Sequence, residues 1–511
     1  MTNSISDKRE LTRREKFLVS LGIRPREAPL VGLLFSNMFL SGIAIGMIRV
    51  CAFTLFLEYF ASEQLALTAI ATAIVGTLVT LVIERSTRGF AADRYLYAIL
   101  GTILAGLVAA WLMLGLAPGK AVVFALPIFF EVVYMLFSLQ FIALLTRLLN
   151  VRQTKRLSGL TRSGEFLAEM VGGLSIVLLL NYMEVKDLLL VASIAVLGVC
   201  FIVRKTIKSF NRHFAASAEQ SESEGQGRLL SMLTNRYVRL IGLCYAAFIF
   251  SYFFLEVAFF KYAVEVFPNE TDLAAFIGQF FAVSGFLTLI TMVFVFAPFL
   301  RWFGVLGGVI AFPLLIGIGS SAVSALEFSG FGVGVIFAVM VMTNGLRVIL
   351  QSAIWRPTVG ILFQVLPDRQ RSLGTSLIEG IIDPLASGLA GITLFIISEF
   401  FEWPPEVFLA LLAGLMVVWI LCGFLIRRNY LTSLVASIQT RKLGKLDINQ
   451  LDNASLKIIL QGLDSPYPAE VFYCLDILEE IEHPDITNYM QYILASKNEA
   501  VRLDILRRLE R

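Results

Sequence analysis

The chain has 511 residues, of which 57% are hydrophobic and 16% charged, with a mean hydropathy of +0.78, whereas soluble domains carry about a quarter charged residues. This balance excludes an ordinary soluble globular fold and makes the lipid bilayer the main solvent. The net charge of +3 gives no footing for a nucleic-acid partner, and two histidines with five cysteines leave little for metal or redox chemistry, so no metal and no cofactor is expected.

Residues 1–28 are polar and basic, with Lys8, Arg9, Arg13, Arg14 and Lys16 and no apolar run beside a small-residue cleavage site, so no cleavable signal peptide is expected. A helix needs about 20 apolar residues to cross the hydrocarbon core. Runs of that size predict twelve membrane helices, at 29–57, 65–84, 95–116, 120–146, 163–182, 187–204, 238–263, 273–297, 303–325, 331–363, 376–398 and 405–427. The loops alternate in charge. Arg85, Arg88 and Arg94, then Arg147, Arg152, Lys155, Arg156 and Arg162, then residues 205–237, then Arg301, then Arg369 and Arg371 lie on one side. Glu58, Glu63, Glu184, Asp187, Glu265, Glu270, Asp272, Glu327, Glu399, Glu402 and Glu406 lie on the other. The positive-inside rule then places both termini in the cytosol.

Residues 205–237 form a polar, serine-rich cytosolic linker between a six-helix bundle at 29–204 and a second at 238–427. The bundles resemble each other: Arg152-Gln153 after the fourth helix pairs with Arg369-Gln370 after the tenth, each followed by a small-residue-rich span. Such a parallel six-plus-six repeat is the arrangement of the major facilitator superfamily, whose central site opens alternately to each side. Gly89-Phe90-Ala91-Ala92-Asp93-Arg94 falls between the second and third helices, where that superfamily carries a G-x-x-x-D-R signature. The fold expected is therefore an all-α membrane protein, a twelve-helix major-facilitator-like bundle with a helical tail.

A charge at the centre of a membrane helix costs about 2.5–3.5 kcal/mol on insertion scales, so those that persist face protein, water or a partner. Arg49, Glu131, Glu256 and Arg347 lie in the first, fourth, seventh and tenth helices, the cavity-lining set of that superfamily, and are candidates for substrate binding or coupling. Structural ion pairs, Arg49 with Glu256 or Arg347 with Glu131, are the competing reading. Lys261 joins the candidates, with snorkelling to the interface as its alternative. Asn344 and Gln351 lie one turn either side of Arg347 and extend its hydrogen-bonding strip. A cytosolic gate set comprises Asp93, Arg94, Lys155, Arg156, Glu165, Glu169, Arg369 and Asp383. Arg356-Pro357 is expected to kink the tenth helix or end its regular part. No phosphate-binding loop, nucleophile system or metal cluster is legible, which points away from enzymatic function and from an ATP-driven pump.

Glu256-Val257-Ala258-Phe259-Phe260-Lys261, followed by Phe267-Pro268-Asn269, Phe276-Ile277-Gly278 and LRWFGVLGGVIAFPLL, resembles the ATP/ADP translocases of plastids and intracellular bacteria. Glu131 followed by NVRQTKRLSGL, and Ser352, Pro357-Thr358 and LPDRQRSLGTSLIEG, are similar to the same family around its helices 4–5 and 10–11. The resemblance implies alternating-access exchange of a nucleotide or another small anionic, phosphorylated metabolite in a bacterial inner or plasma membrane, and charged transport positions at Glu131, Glu256 and Lys261. Val359-Gly360 stands where the family carries a lysine-glutamate pair, Arg356 where it has an aspartate, and Thr375 near an expected lysine. Arg49, Arg347 and Arg356 offer substitute guanidinium groups for phosphate oxygens. A membrane-embedded sensor or scaffold, and a lipid transporter, are the alternatives.

Residues 428–511 turn soluble in composition and read as amphipathic helix pairs that resemble HEAT repeats, a surface for a protein partner or a further domain. The chain stops at Arg511 within an apparent repeat, as expected if the tail packs on the membrane region or a longer protein continues.

Overall fold

The computed structural model describes residues 27–87, 92–116, 119–149, 151–210, 232–366, 368–400 and 405–439, with scattered tail positions that include 486–494. Within these residues the chain is helical and contains no strand. The first half supplies α1 (Ala28–Tyr59), α2 (Leu65–Thr87), α3 (Ala92–Leu116), α4 (Lys120–Leu148), α5 (Val151–Leu179) and α6 (Leu188–Ser209). The second supplies α7 (Arg236–Val266), α8 (Glu270–Ile290), α9 (Phe296–Phe328), α10 (Val333–Leu350), α11 (Arg356–Gln364), α12 (Asp368–Leu377), α13 (Asp383–Phe400) and α14 (Pro405–Gln439).

Ten stretches among the described residues are long and apolar enough to cross a membrane, one of them the 59-residue run Glu270–Phe328. That run breaks at Gly304, whose φ of 67° is open to glycine at no steric cost, and so holds two crossings. With α5, whose first turns carry Arg152, Lys155 and Arg156, every one of the twelve expected spans has its helix. The fifth begins at Val151 rather than near 163, because its basic start is helical without being apolar.

The tenth and eleventh crossings are broken by π-helical turns, Gln351–Trp355 between α10 and α11 and Ile378–Ile382 between α12 and α13. A third, Thr291–Val295, joins α8 to α9. Each ends two or three residues before a proline: Pro298, Pro357 and Pro384. Proline cannot donate to the carbonyl four residues back, and a wider turn re-pairs the backbone around that gap. Accordingly the N–H groups of Phe296, Arg356 and Asp383 bond the carbonyls of Thr291, Gln351 and Ile378, five residues earlier.

The chain divides into two compact units. Unit 1 holds residues 1–60, 74–222 and 269–286; unit 2 holds 61–73, 223–268 and 287–511. Unit 1 therefore takes in most of α8 from the second half of the sequence, and unit 2 the opening turns of α2 from the first.

In unit 1, α1 is the core helix, buried along most of its length and packed on α4, α5 and α6. Small residues let backbones approach, as membrane interiors favour. A Cβ on Gly42 would stand 2.7 Å from the Ala168 Cβ, and one on Gly164 would stand 2.7 Å from the Phe35 carbonyl. The middle and later turns of α8 pack on α5 in the same way, with a Gly285 Cβ position 2.9 Å from the Glu169 Cβ and a Gly278 Cβ position 3.1 Å from the Gly173 carbonyl.

Unit 2 is built on α7, which packs on α10, α13 and α14, and on α9 against α14 and α10. Its aromatic centre joins Trp355 to Trp419 at 4.7 Å between centroids, Phe312 to Trp419 at 5.1 Å and Phe248 to Phe312 at 5.5 Å, all buried. The opening turns of α2 lie against α13, where a Cβ on Gly391 would meet the Ala66 carbonyl at 2.8 Å. In the tail, Ile486–Leu494 is helical with Met490 and Ile493 buried, while most residues of the expected repeats lie outside those described.

Candidate functional site

The charged membrane residues gather into separate clusters, each inside one unit. In unit 1, Arg49 Nη1 donates to Glu169 Oε1 at 3.3 Å, joining α1 to α5. The guanidinium carbon also lies 4.2 Å from the ring centroid of Phe281 on α8 and 5.4 Å from that of Phe130 on α4. The side chains of Arg49 and Glu169 are only 14% and 13% exposed, which leaves the pair little solvent screening. An aromatic face attracts a desolvated cation by about 2 kcal/mol, so the rings and the carboxylate hold the same group. The structure thus joins Arg49 to Glu169, residues that the sequence assigned to different sets. Glu131 follows Phe130 on α4 and is half-buried, and Glu165, one turn before Glu169, is half-buried as well.

In unit 2, Arg347 is 3% exposed near the end of α10. Its Nε donates to Asn344 Oδ1 at 2.7 Å and its Nη1 to Gln351 Oε1 at 3.4 Å. Gln351 opens the π turn, and its own N–H reaches the carbonyls of Arg347 and Val348. The guanidinium carbon lies 4.7 Å from the centroid of the Tyr252 ring on α7. The Tyr252 hydroxyl donates to Glu256 Oε1 at 3.3 Å, one turn further along α7. Four of the sequence candidates, Glu256, Asn344, Arg347 and Gln351, therefore meet in one partly buried network with Tyr252 as its bridge. A guanidinium held in a fixed plane by two amide oxygens is preorganised for an oxyanion such as a carboxylate or phosphate, because the fork loses little rotamer freedom when a ligand arrives.

Four further contacts extend the picture within unit 2. Lys261 Nζ stands 4.0 Å from Glu63 Oε1 in the Ser62–Gln64 turn before α2, with both side chains about one-third exposed. One residue on, the Tyr262 hydroxyl donates to Glu327 Oε2 at 3.1 Å. Asp383, at the start of α13, accepts from the Tyr245 hydroxyl at 3.3 Å and from Ser387 Oγ at 3.4 Å.

Of the remaining gate candidates, Arg94 is exposed on the first turn of α3, and the side chains of Asp93, Lys155, Arg156 and Arg369 lie outside the described residues. Tyr245, Tyr252, Phe281 and Glu63 are the participants that sequence reasoning missed. Spacing held a signal for two of them: Tyr245, Tyr252 and Glu256 follow one another at intervals of seven and four residues, one stripe of a helix. Among the described residues no group of His, Cys, Asp and Glu has the geometry of a metal site.

The comparisons with known proteins agree with this architecture. The fold matches the crystal structure of a point mutant of the nucleoside transporter NupG with a TM-score of 0.58 at 11% identity, over 78% of this chain and 99% of that one. It matches a bacterial homologue of the iron transporter ferroportin in its inward-facing state with a TM-score of 0.59 at 13% identity, over 78% and 98%. A D-xylose-proton symporter gives 0.51 at 14% identity, over 78% and 96%. At such identities these likenesses establish the fold alone, that of the major facilitator transporters. No curated protein sequence matches the chain. The family model of the TLC ATP/ADP transporters matches residues 129–430, which hold α7, α10 and the Arg347 network between them. With more than half of its length inside that match, the chain belongs to the TLC ATP/ADP transporter family, and it is an integral multi-pass secondary transporter of the major facilitator fold.

Proposed function

We propose that the chain carries a nucleotide or a similarly phosphorylated small anion by alternating access, with Arg347 as the principal anion-binding group. The observation that supports this is the buried Arg347 itself, its fork fixed by Asn344 and Gln351 and its face laid on Tyr252. Placing an arginine at membrane depth costs several kcal/mol, so one that persists there faces a partner or a ligand. Glu256, reached through Tyr252, is the counter-charge that would relax when a phosphate enters and neutralises the guanidinium. The family match over residues 129–430 favours a nucleotide among phosphorylated substrates. Arg49 with Glu169 serves as the corresponding charge pair of unit 1, and Lys261 with Glu63 as a closing contact at the opposite end from the basic loops. The alternation of loop charge supports cytosolic termini.

The test is uptake and exchange of radiolabelled ATP, ADP and other nucleotides by the full chain in liposomes, beside a thermal-shift screen that includes sugar phosphates and lipids. Ligands that bind the folded protein raise its apparent stability by mass action. A nucleotide that stabilises the wild type and not Arg347→Ala supports the reading. Stabilisation by lipids alone, with no nucleotide flux, overturns it.

A further inference from the structure

We infer that Asp383, with Tyr245, forms a proton-carrying site that couples transport to a proton gradient; this rests on the transport reading above and adds an energy source to it. Asp383 lies at the end of the π turn Ile378–Ile382, ten residues into the crossing Leu373–Phe400, and is partly buried. A carboxyl group at that depth is costly unless its environment serves both of its protonation states. The two groups on its oxygens do so. Tyr245 donates to Oδ2 at 3.3 Å and Ser387 to Oδ1 at 3.4 Å. A hydroxyl donates to a carboxylate, and after rotation accepts from a carboxylic acid, so neither state leaves an orphan. When a proton arrives, the O–H bond forms on Asp383 and the Tyr245 hydroxyl turns from donor to acceptor; release reverses both changes.

The pair has a charged neighbour of each sign. Arg356 on α11 is the cation that acts on Asp383, and Glu379 on the π turn is the second carboxylate that acts on Tyr245. Of the remaining elements packed on α13, the Ser62–Gln64 turn contributes Glu63, whose partner is Lys261. Glu379 is exposed and lies four residues before Asp383, a stepping stone from the solvent-facing end of the helix.

The site is also wired to the anion network. Tyr245, Tyr252 and Glu256 occupy one stripe of α7, with Tyr252 seven residues beyond Tyr245. Seven residues span about 10 Å at 1.5 Å each. A change of charge at Asp383 reaches the helix through Tyr245, and the anion at Arg347 reaches the same helix through Tyr252. One rigid element therefore feels both ligands.

Two measurements on the full-length chain test this. In purified wild type, pH-difference infrared spectra should show a carboxylic C=O band that titrates, is absent from Asp383→Asn and is displaced in Tyr245→Phe. In liposomes loaded and assayed with radiolabelled ATP, the ratio of accumulation driven by an acid-outside pH step to ATP/ATP exchange should fall at least tenfold in Asp383→Asn. Tyr245→Phe, which keeps the ring, should shift the pH midpoint of that accumulation even if Asp383→Asn folds poorly. An infrared difference spectrum in Asp383→Asn identical to wild type, or a wild-type accumulation ratio in that variant, overturns the proton site. If the wild type moves no ATP in either mode, the nucleotide reading fails and the infrared result still decides the proton site.

Discussion

Arg49 on α1 and Glu169 on α5 meet at 3.3 Å, with the Phe281 ring 4.2 Å from the guanidinium carbon. One carboxylate and one aromatic face thus share a single cation deep in unit 1. Removing one partner of a buried pair strands the other, at about 3–5 kcal/mol. Arg49→Ala and Glu169→Ala should each lower the melting temperature in detergent by a large step. The double variant should be less damaged than the sum of the two, and simple additivity would show that the pair is not coupled.

Arg49→Lys separates the two attractions. An ammonium keeps the charge, but it is a compact, strongly hydrated group without the planar face that lies on Phe281. The expected result is a stability between those of wild type and Arg49→Ala, and Phe281→Leu should remove most of the difference between arginine and lysine. A lysine variant as stable as wild type would show that the ring contributes nothing.

In unit 2, Tyr252 carries two interactions that substitution can part. Tyr252→Phe keeps the ring under Arg347 and loses the bond to Glu256, whereas Tyr252→Ala loses both. A lost hydrogen bond to a charged group is worth about 1.5–3 kcal/mol, a roughly ten- to hundredfold effect on substrate affinity if it is all expressed there. We expect Tyr252→Phe to raise the KM for nucleotide and Tyr252→Ala to abolish measurable uptake. Equal kinetics in wild type and Tyr252→Phe would remove Glu256 from the anion network.

The contact between Lys261 and Glu63 spans 4.0 Å with both side chains about one-third exposed, so solvent screens it strongly. Pairs of this kind contribute about 0.2–1 kcal/mol. Lys261→Ala should therefore leave the melting temperature within a degree or two while changing the rate of transport. The exchange of charges, Lys261→Glu with Glu63→Lys, should restore much of that rate, and a failure to restore it would argue for direct contact between Lys261 and substrate.

Gly173 tests the packing of α8 on α5. A side chain there would be driven into the Gly278 carbonyl and the Ala282 Cβ. Gly173→Val should cost about 1–3 kcal/mol by overpacking and suppress transport, whereas Gly101→Val, at a position with open space around it, should do neither.

Much of the fold was legible because crossing a bilayer imposes a length and a composition that single residues report locally. The twelve expected spans each have a helix, and the errors lie where apolarity and helicity part, as at the basic start of α5. The Arg347 network was partly legible for the same reason. Asn344, Arg347 and Gln351 are neighbours by helical spacing alone, and one helix fixes their faces. Pairings between helices were not legible. Glu169 is no nearer to Arg49 in the sequence than many other acids, and their meeting depends on how Gly42 and Gly164 let α1 approach α5. Tyr245 and Asp383 are likewise 138 residues apart and meet only through the packing of α7 on α13.

The three π turns carry a consequence for how this chain can change over time. A π turn holds one residue more than the regular helix it interrupts, so deleting a single residue within Gln351–Trp355 would restore ordinary register. The five residues of a π turn wind about as far as four of a regular α-helix, so what lies beyond would keep its orientation: Trp355 would stay against Trp419 and Arg347 in its network. The same deletion in a regular stretch of helix would rotate everything beyond it by roughly 100°. At these three points alone among the described crossings, the chain can lose a residue and keep its faces in register.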